Sequence, residues 1–138
     1  MTDTLIDTNV ILDIAEEDAE WRAWSERQLE DAGEEGDLLI NPVIYAELAA
    51  GFATREALDA ALDASRLKRE NLPWAAAYGA GLAFLAYRRR GGTRSSPLPD
   101  FFIGAHAAVR GYRLLTRDRG TYASYFPTLK IVSPETHP

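Results

Sequence analysis

The chain has 138 residues, 46% of them hydrophobic, a net charge of −6 and no cysteine. That size and apolar content suit one folded domain; the missing cysteine excludes disulfides and thiol catalysis and fits a cytoplasmic protein. No apolar run approaches the ~20 residues that cross a bilayer, and Asp3 and Asp7 bracket too short an apolar run for a secretory leader.

Residues Thr4 to Asp7 read as a short buried strand, followed by a helix near Asn9 to Ile14. Asp18 can cap a second helix running to Ala32, with Gly33 as its stop. Leu38 to Ile40 is a second strand. Asn41-Pro42 then supplies an N-cap and a proline at the first helical position, for a helix reaching about Gly51. Thr54 caps a helix with Ala57, Leu58, Ala61 and Leu62 at helical spacing, and a strand is expected within Leu67 to Leu72. Pro73 opens a long helix to Arg90. The breakers in Gly91 to Pro99 mark a loop, and Pro99-Asp100 starts a mostly apolar helix stopped by Gly111. Arg113 to Leu115 is a strand, Gly120 to Tyr125 a short helix and Lys130 to Val132 a last strand. Short apolar strands alternating with helices predict an α/β fold, with a short, mainly parallel central sheet and helices on both faces. There is no internal repeat or linker, so residues 1–138 are expected to form a single domain.

Charge is distributed unevenly. Residues 1–64 carry 17 acidic and 3 basic side chains; residues 65–138 carry 4 acidic and 12 basic ones, nearly all arginine. Arginine holds phosphate bidentately, so the second half, notably Arg88, Arg89 and Arg90, could offer a polyanion a local patch on an acidic protein. Each arginine could equally be a solvated helix end.

Against this background four carboxylates stand alone in apolar surroundings. Asp7 closes the first strand, and Glu47 is the only charge between Leu38 and Phe52. Asp100 is the only formal charge between Ser95 and Val109, and Asp118 follows the strand ending at Leu115. A carboxylate in a core-like segment is costly unless paired, hydrogen-bonded or bound to metal. Asp7 and Asp118 sit at the carboxyl ends of strands, where open parallel sheets bind ligands; Asp100 and Glu47 lie near helix starts that leave the same edge. Two carboxylates about 4 Å apart repel by roughly 4 kcal/mol at an effective dielectric of 20, so a convergent quartet calls for a cation. Hard oxygen donors point to Mg2+ or Mn2+, and the two histidines, His106 and His137, lack the spacing of zinc ligands. Such a metal can activate water for attack on a phosphodiester. Thr8, Asn9 and Thr116 could orient the ligands or the water, and Arg117 could contact phosphate. Ordinary roles stay open for each acid: a cap at Asp7 or Asp100, a solvated helix face at Glu47, a turn at Asp118. His106 reads as a packed core histidine.

These residues resemble the PIN-domain ribonucleases, and within them the VapC-type toxins of bacterial toxin–antitoxin pairs. The likeness is carried by Leu5-Ile6-Asp7-Thr8-Asn9-Val10, by Glu47 in Val43 to Leu48, by Pro99-Asp100-Phe101-Phe102-Ile103-Gly104-Ala105-His106-Ala107, and by Leu115-Thr116-Arg117-Asp118, in matching order and spacing over nearly the whole chain. The resemblance implies an Mg2+- or Mn2+-dependent endoribonuclease with Asp7, Glu47, Asp100 and Asp118 as its catalytic metal ligands. It also implies a homodimer whose groove admits RNA, and a cognate antitoxin that blocks the groove. Two other readings compete. A phosphatase of the haloacid dehalogenase type also places an aspartate after its first strand, but wants a second aspartate where Asn9 stands. A non-catalytic α/β module would use its acids only to bind partners.

Overall fold

The computed structural model describes residues 1–93 and 98–138, with Thr121 described by its backbone alone. Of the loop expected over residues 91–99, positions 94–97 fall outside the described residues. Five strands form one sheet: β1 (Thr4–Ile6), β2 (Leu38–Ile40), β3 (Leu67–Arg69), β4 (Arg113–Leu115) and β5 (Ile131–Val132). Their order is β3-β2-β1-β4-β5 and every pairing is parallel. The helices are α1 (Thr8–Ala15), α2 (Arg22–Glu35), α3 (Pro42–Ala49), α4 (Arg55–Ala64), α5 (Trp74–Arg89), α6 (Leu98–Arg110) and α7 (Arg119–Tyr125).

Successive strand residues point to opposite faces. Thr4, Leu5 and Ile6 are all fully inaccessible, so both faces of the central strand are covered by helices, as the unbroken apolar runs predict. The main core joins these strand residues to Val10, Ile44, Leu48, Leu58, Leu62, Ile103 and Leu115. A second cluster lies between α5 and α6, where Ala76, Ala80 and Ala83 let Phe101 and Ala105 approach closely.

From β1 the chain steps outward to β2 and β3, then returns across the sheet to β4 and β5. The direction of winding therefore reverses between β1 and β4, and their carboxyl ends flank the crevice that such a reversal creates.

The predicted strands and helices are present, with shifted ends. Asp18 does cap a turn, accepting from the backbone N–H groups of Glu20 at 2.9 Å and Trp21 at 2.8 Å, but regular α2 begins only at Arg22. Nor does Gly33 stop α2; it lies inside the helix, against Leu38. The stop is Gly36, where a Cβ would stand 2.1 Å from the Thr2 carbonyl oxygen. The backbone of the N-terminal segment, held by Thr2 N–H to the Glu35 carbonyl at 2.9 Å, leaves room only for glycine there.

Much of the uneven charge resolves into ion pairs between the two halves. Lys68 meets Asp37, Arg69 meets Asp59, Arg113 meets Glu35 and Arg117 meets Asp13. Arg88 and Arg90 instead lie over the rings of Phe84 and Tyr125.

Candidate active site

Asp7 leaves β1 at the crevice and caps α1. Its Oδ1 accepts the Thr8 N–H at 2.7 Å. Its Oδ2 accepts the Thr116 hydroxyl at 2.7 Å, the Tyr122 hydroxyl at 3.0 Å and, more weakly, Asn9 Nδ2 at 3.4 Å. Thr116 follows β4, so this one carboxylate joins the ends of the two central strands. The side chain is 5% exposed. Burial pushes its pKa up from 3.8 to about 6; the charge of Asp100 pushes the same way, and the donors from Thr116, Tyr122 and Thr8 only partly offset this.

Glu47 reaches the same place from α3. Its Oε1 accepts the Thr8 hydroxyl at 2.8 Å. Asp100 stands in the first turn of α6, with Oδ1 3.5 Å from the Tyr122 hydroxyl. A phenol carries one proton, and the shorter contact gives it to Asp7. Burial and the charges of Asp7, Asp100 and Glu47 raise the Tyr122 pKa well above 10. The hydroxyl therefore stays protonated and remains a donor.

Three of the four predicted carboxylates, from three separate elements, are thus linked: Asp7 and Asp100 contact the Tyr122 hydroxyl, and Glu47 joins Asp7 through Thr8. The fourth, Asp118, stands at the same sheet edge and, like Glu47, is exposed. Its backbone N–H donates to Thr116 Oγ1 at 3.0 Å, and its side chain does not cap α7. Among the described residues no three carboxylates or histidines close into a finished ligand cage. The donor chemistry nevertheless fits a hard cation. Every ligand available is an oxygen, and burial, with the charge of Asp100, disfavours the Asp7 anion more than its hydrogen bonds relieve, a cost that a bound cation would offset.

The neighbouring residues act as brackets. Asn9 Nδ2 donates to Thr116 Oγ1 at 3.3 Å, and Asn9 Oδ1 accepts the Arg117 N–H at 3.1 Å, pinning α1 to the segment after β4. The Arg117 side chain, expected to contact phosphate, donates from Nε to Asp13 at 2.6 Å and lies over Trp21. Ser25 completes that cluster with a 2.7 Å bond to Asp13. His106 is fully buried, as expected of a core histidine.

Tyr122 is the functional residue that sequence reasoning misses. Its signal is faint: an aromatic residue in a short helix just beyond a strand-end acid. What seats it is Gly104 on α6, where a Cβ would stand 2.5 Å from Phe126 and 3.1 Å from Tyr122. With no side chain there, α7 packs closely enough to deliver the hydroxyl.

Comparison with known proteins gives a matching family model described as PIN domain, over residues 4–126. No curated protein matches. Among solved structures, the fold is similar to a chain in VapBC2 from Rickettsia felis bound to a DNA fragment from their promoter. That match has a TM-score of 0.74 and 18% identity, covering 96% of this chain and 98% of that one. It is also similar to a chain of a toxin–antitoxin complex from Klebsiella pneumoniae, with a TM-score of 0.68, 23% identity and coverage of 95% and 97%. A third match is VapBC-1 from nontypeable Haemophilus influenzae, with a TM-score of 0.72, 17% identity and coverage of 96% and 98%.

Proposed function

The chain belongs to the PIN domain family, and from that premise we propose that it is a VapC-type toxin: a metal-dependent endoribonuclease, acting in the cytoplasm and restrained by a cognate antitoxin. The observation that carries this reading is the linkage of three carboxylates at the crevice between β1 and β4: the Tyr122 hydroxyl contacts Asp7 and Asp100, and Thr8 ties Asp7 to Glu47.

In this reading Asp7, Glu47 and Asp100, with Asp118 at the rim, hold Mg2+ or Mn2+. The bound ion would supply an activated water and neutralise charge on a phosphoryl oxygen. Thr8 steadies Glu47 through its hydroxyl and Asp7 through its N–H. Thr116 and Tyr122 steady the other oxygen of Asp7, and Asn9 fixes the segment that carries Thr116. Asn9 is an amide committed to that bracket, so the acid that phosphatase chemistry would need two residues after Asp7 is not there.

The antitoxin reading is supported by the toxin–antitoxin assemblies in which the structural neighbours occur. The homodimer reading is supported by α5. Trp74, Tyr78, Leu82 and Leu85 are 90%, 71%, 51% and 45% exposed on one helical stripe, an apolar face of the kind that marks protein interfaces.

The test is cleavage mapping of RNA with the purified protein in Mg2+ or Mn2+, with and without chelator, beside Asp7→Asn. Cut ends that need metal and vanish in the variant support the reading. Equal cutting by folded Asp7→Asn would overturn it, as would intact RNA under every metal.

A further inference from the structure

Glu47 and Asp100 are carried by α3 and α6, and one buried contact ties these two helices together. Asn41 caps α3, its Oδ1 accepting the Ile44 N–H at 2.9 Å. That bond fixes the orientation of the amide, because only the oxygen can accept. The other amide atom, Nδ2, lies 3.0 Å from His106 Nδ1 on α6 and can only donate. His106 Nδ1 is therefore the acceptor, and its ring proton resides on Nε2. The ring is wholly inaccessible, and burial lowers its pKa despite the nearby charge of Glu70.

Among the described residues, His106 Nε2 makes no hydrogen bond of ordinary length. Its nearest acid oxygen is Glu70 Oε1 at 3.7 Å, and Glu70 is already taken by the Tyr112 hydroxyl at 2.6 Å and Arg110 Nε at 2.8 Å. A leucine here would leave the buried Asn41 Nδ2 without its acceptor, so the histidine serves Asn41 and is not explained by packing alone.

The contact has a particular position. Asn41 precedes Glu47 by six residues, and Asp100 precedes His106 by six, a rise of about 9 Å on each helix. The chain runs away from the contact along α3 and toward it along α6. The Asn41–His106 rung thus closes one end of a helix pair whose other end presents both carboxylates.

We propose that His106 is a positioning residue: as the Nε2–H tautomer it accepts from Asn41, locks α3 to α6, and so sets the separation of Glu47 and Asp100 at which a divalent ion binds. This rests on the metal-dependent reading above.

The test compares the wild type with His106→Leu, His106→Asn and Asn41→Ser, each checked for folding by circular dichroism. Manganese binding is read by electron paramagnetic resonance, and the ring tautomer by nitrogen-15 NMR of histidine-labelled protein. The leucine variant removes the acceptor. The asparagine variant returns an amide oxygen near the Nδ1 position, and the serine variant keeps the α3 cap while removing the donor. Expected are a proton on Nε2 in the wild type and Mn2+ dissociation constants raised about tenfold in His106→Leu and Asn41→Ser, with His106→Asn largely restored. If His106→Leu fails to fold, Asn41→Ser against His106→Asn decides the matter. A proton on Nδ1, or wild-type Mn2+ affinity in a folded protein that lacks the rung, would overturn the positioning role. Failure of the wild type to bind Mn2+, or binding that Asp7→Asn leaves unchanged, would instead remove the metal reading and this proposal with it.

Discussion

Replacing Asp7 by asparagine should stabilise the metal-free protein at neutral pH while destroying its activity. Asp7 has a pKa of about 6 in the fold against 3.8 for the free side chain. The folded state therefore holds this proton more tightly than the unfolded state. The stabilisation that comes from the protonated group is full below about pH 4, falls as pH rises from 3.8, and is gone above about 6. Roughly two pKa units at 1.36 kcal/mol each make the ionised side chain cost about 3 kcal/mol at pH 7.5. Asparagine never ionises; its oxygen can still accept the Thr8 N–H, and the Tyr122 hydroxyl can turn to accept from its nitrogen. Urea or thermal unfolding in chelator, from pH 4 to 8, is the assay. At pH 7.5 the variant should exceed the wild type by about 2–3 kcal/mol, on the order of 10 °C in melting temperature, and the gap should close toward pH 4. Adding Mn2+ should recover the difference for the wild type alone. A gap that ignores pH, or a variant less stable than the wild type at pH 7.5, would refute the claim that burial strains Asp7.

Gly104→Ala places a methyl group against Phe126 and Tyr122. It should cost about 1–3 kcal/mol by overpacking and lower cleavage by displacing the Tyr122 hydroxyl; unfolding curves and cleavage rates unchanged from wild type would show that α7 is free to yield. Tyr122→Phe, which removes only the hydroxyl, should raise the Asp7 pKa above its present value of about 6, because that bond stabilises the anion. The acid limb of the pH–rate profile should move upward, and a fixed limb would separate Tyr122 from Asp7. Replacing Arg88, Arg89 and Arg90 together by glutamine should weaken RNA binding and lessen its salt slope by about 0.7 for each lost phosphate contact; an unaltered slope would take this helix end off the RNA surface. For the proposed homodimer, Tyr78→Glu with Leu82→Glu should shift sedimentation from dimer to monomer, and a dimer that persists in the variant would locate the interface elsewhere.

What could be read from the sequence was local. The strands at Thr4–Ile6, Leu38–Ile40 and Arg113–Leu115 announced themselves as short apolar runs, and Asn41-Pro42 marked the start of α3 by cap chemistry alone. Isolation in sequence was a weaker guide to burial. Asp7 is buried, whereas Asp100 is intermediate and Glu47 and Asp118 are exposed, because an apolar neighbourhood along the chain says nothing about which side of a helix faces the crevice. The misplaced stop of α2 has the same origin: Gly33 looks like a helix end, but the chain turns where Thr2 crowds Gly36. The sequence offers Arg117 to phosphate because its partner, Asp13, is 104 residues away. Tyr122 depends on the fit of α7 against Gly104, a tertiary fact with no local mark.

The innermost strand acquires its second neighbour late. Thr4 pairs in register with Leu38 on one side but with Arg113 on the other, so until residues 113–122 have been made, β1 keeps an open edge and Asp7 lacks both Thr116 and Tyr122. A nascent chain on the ribosome consequently carries the acidic centre only as scattered pieces.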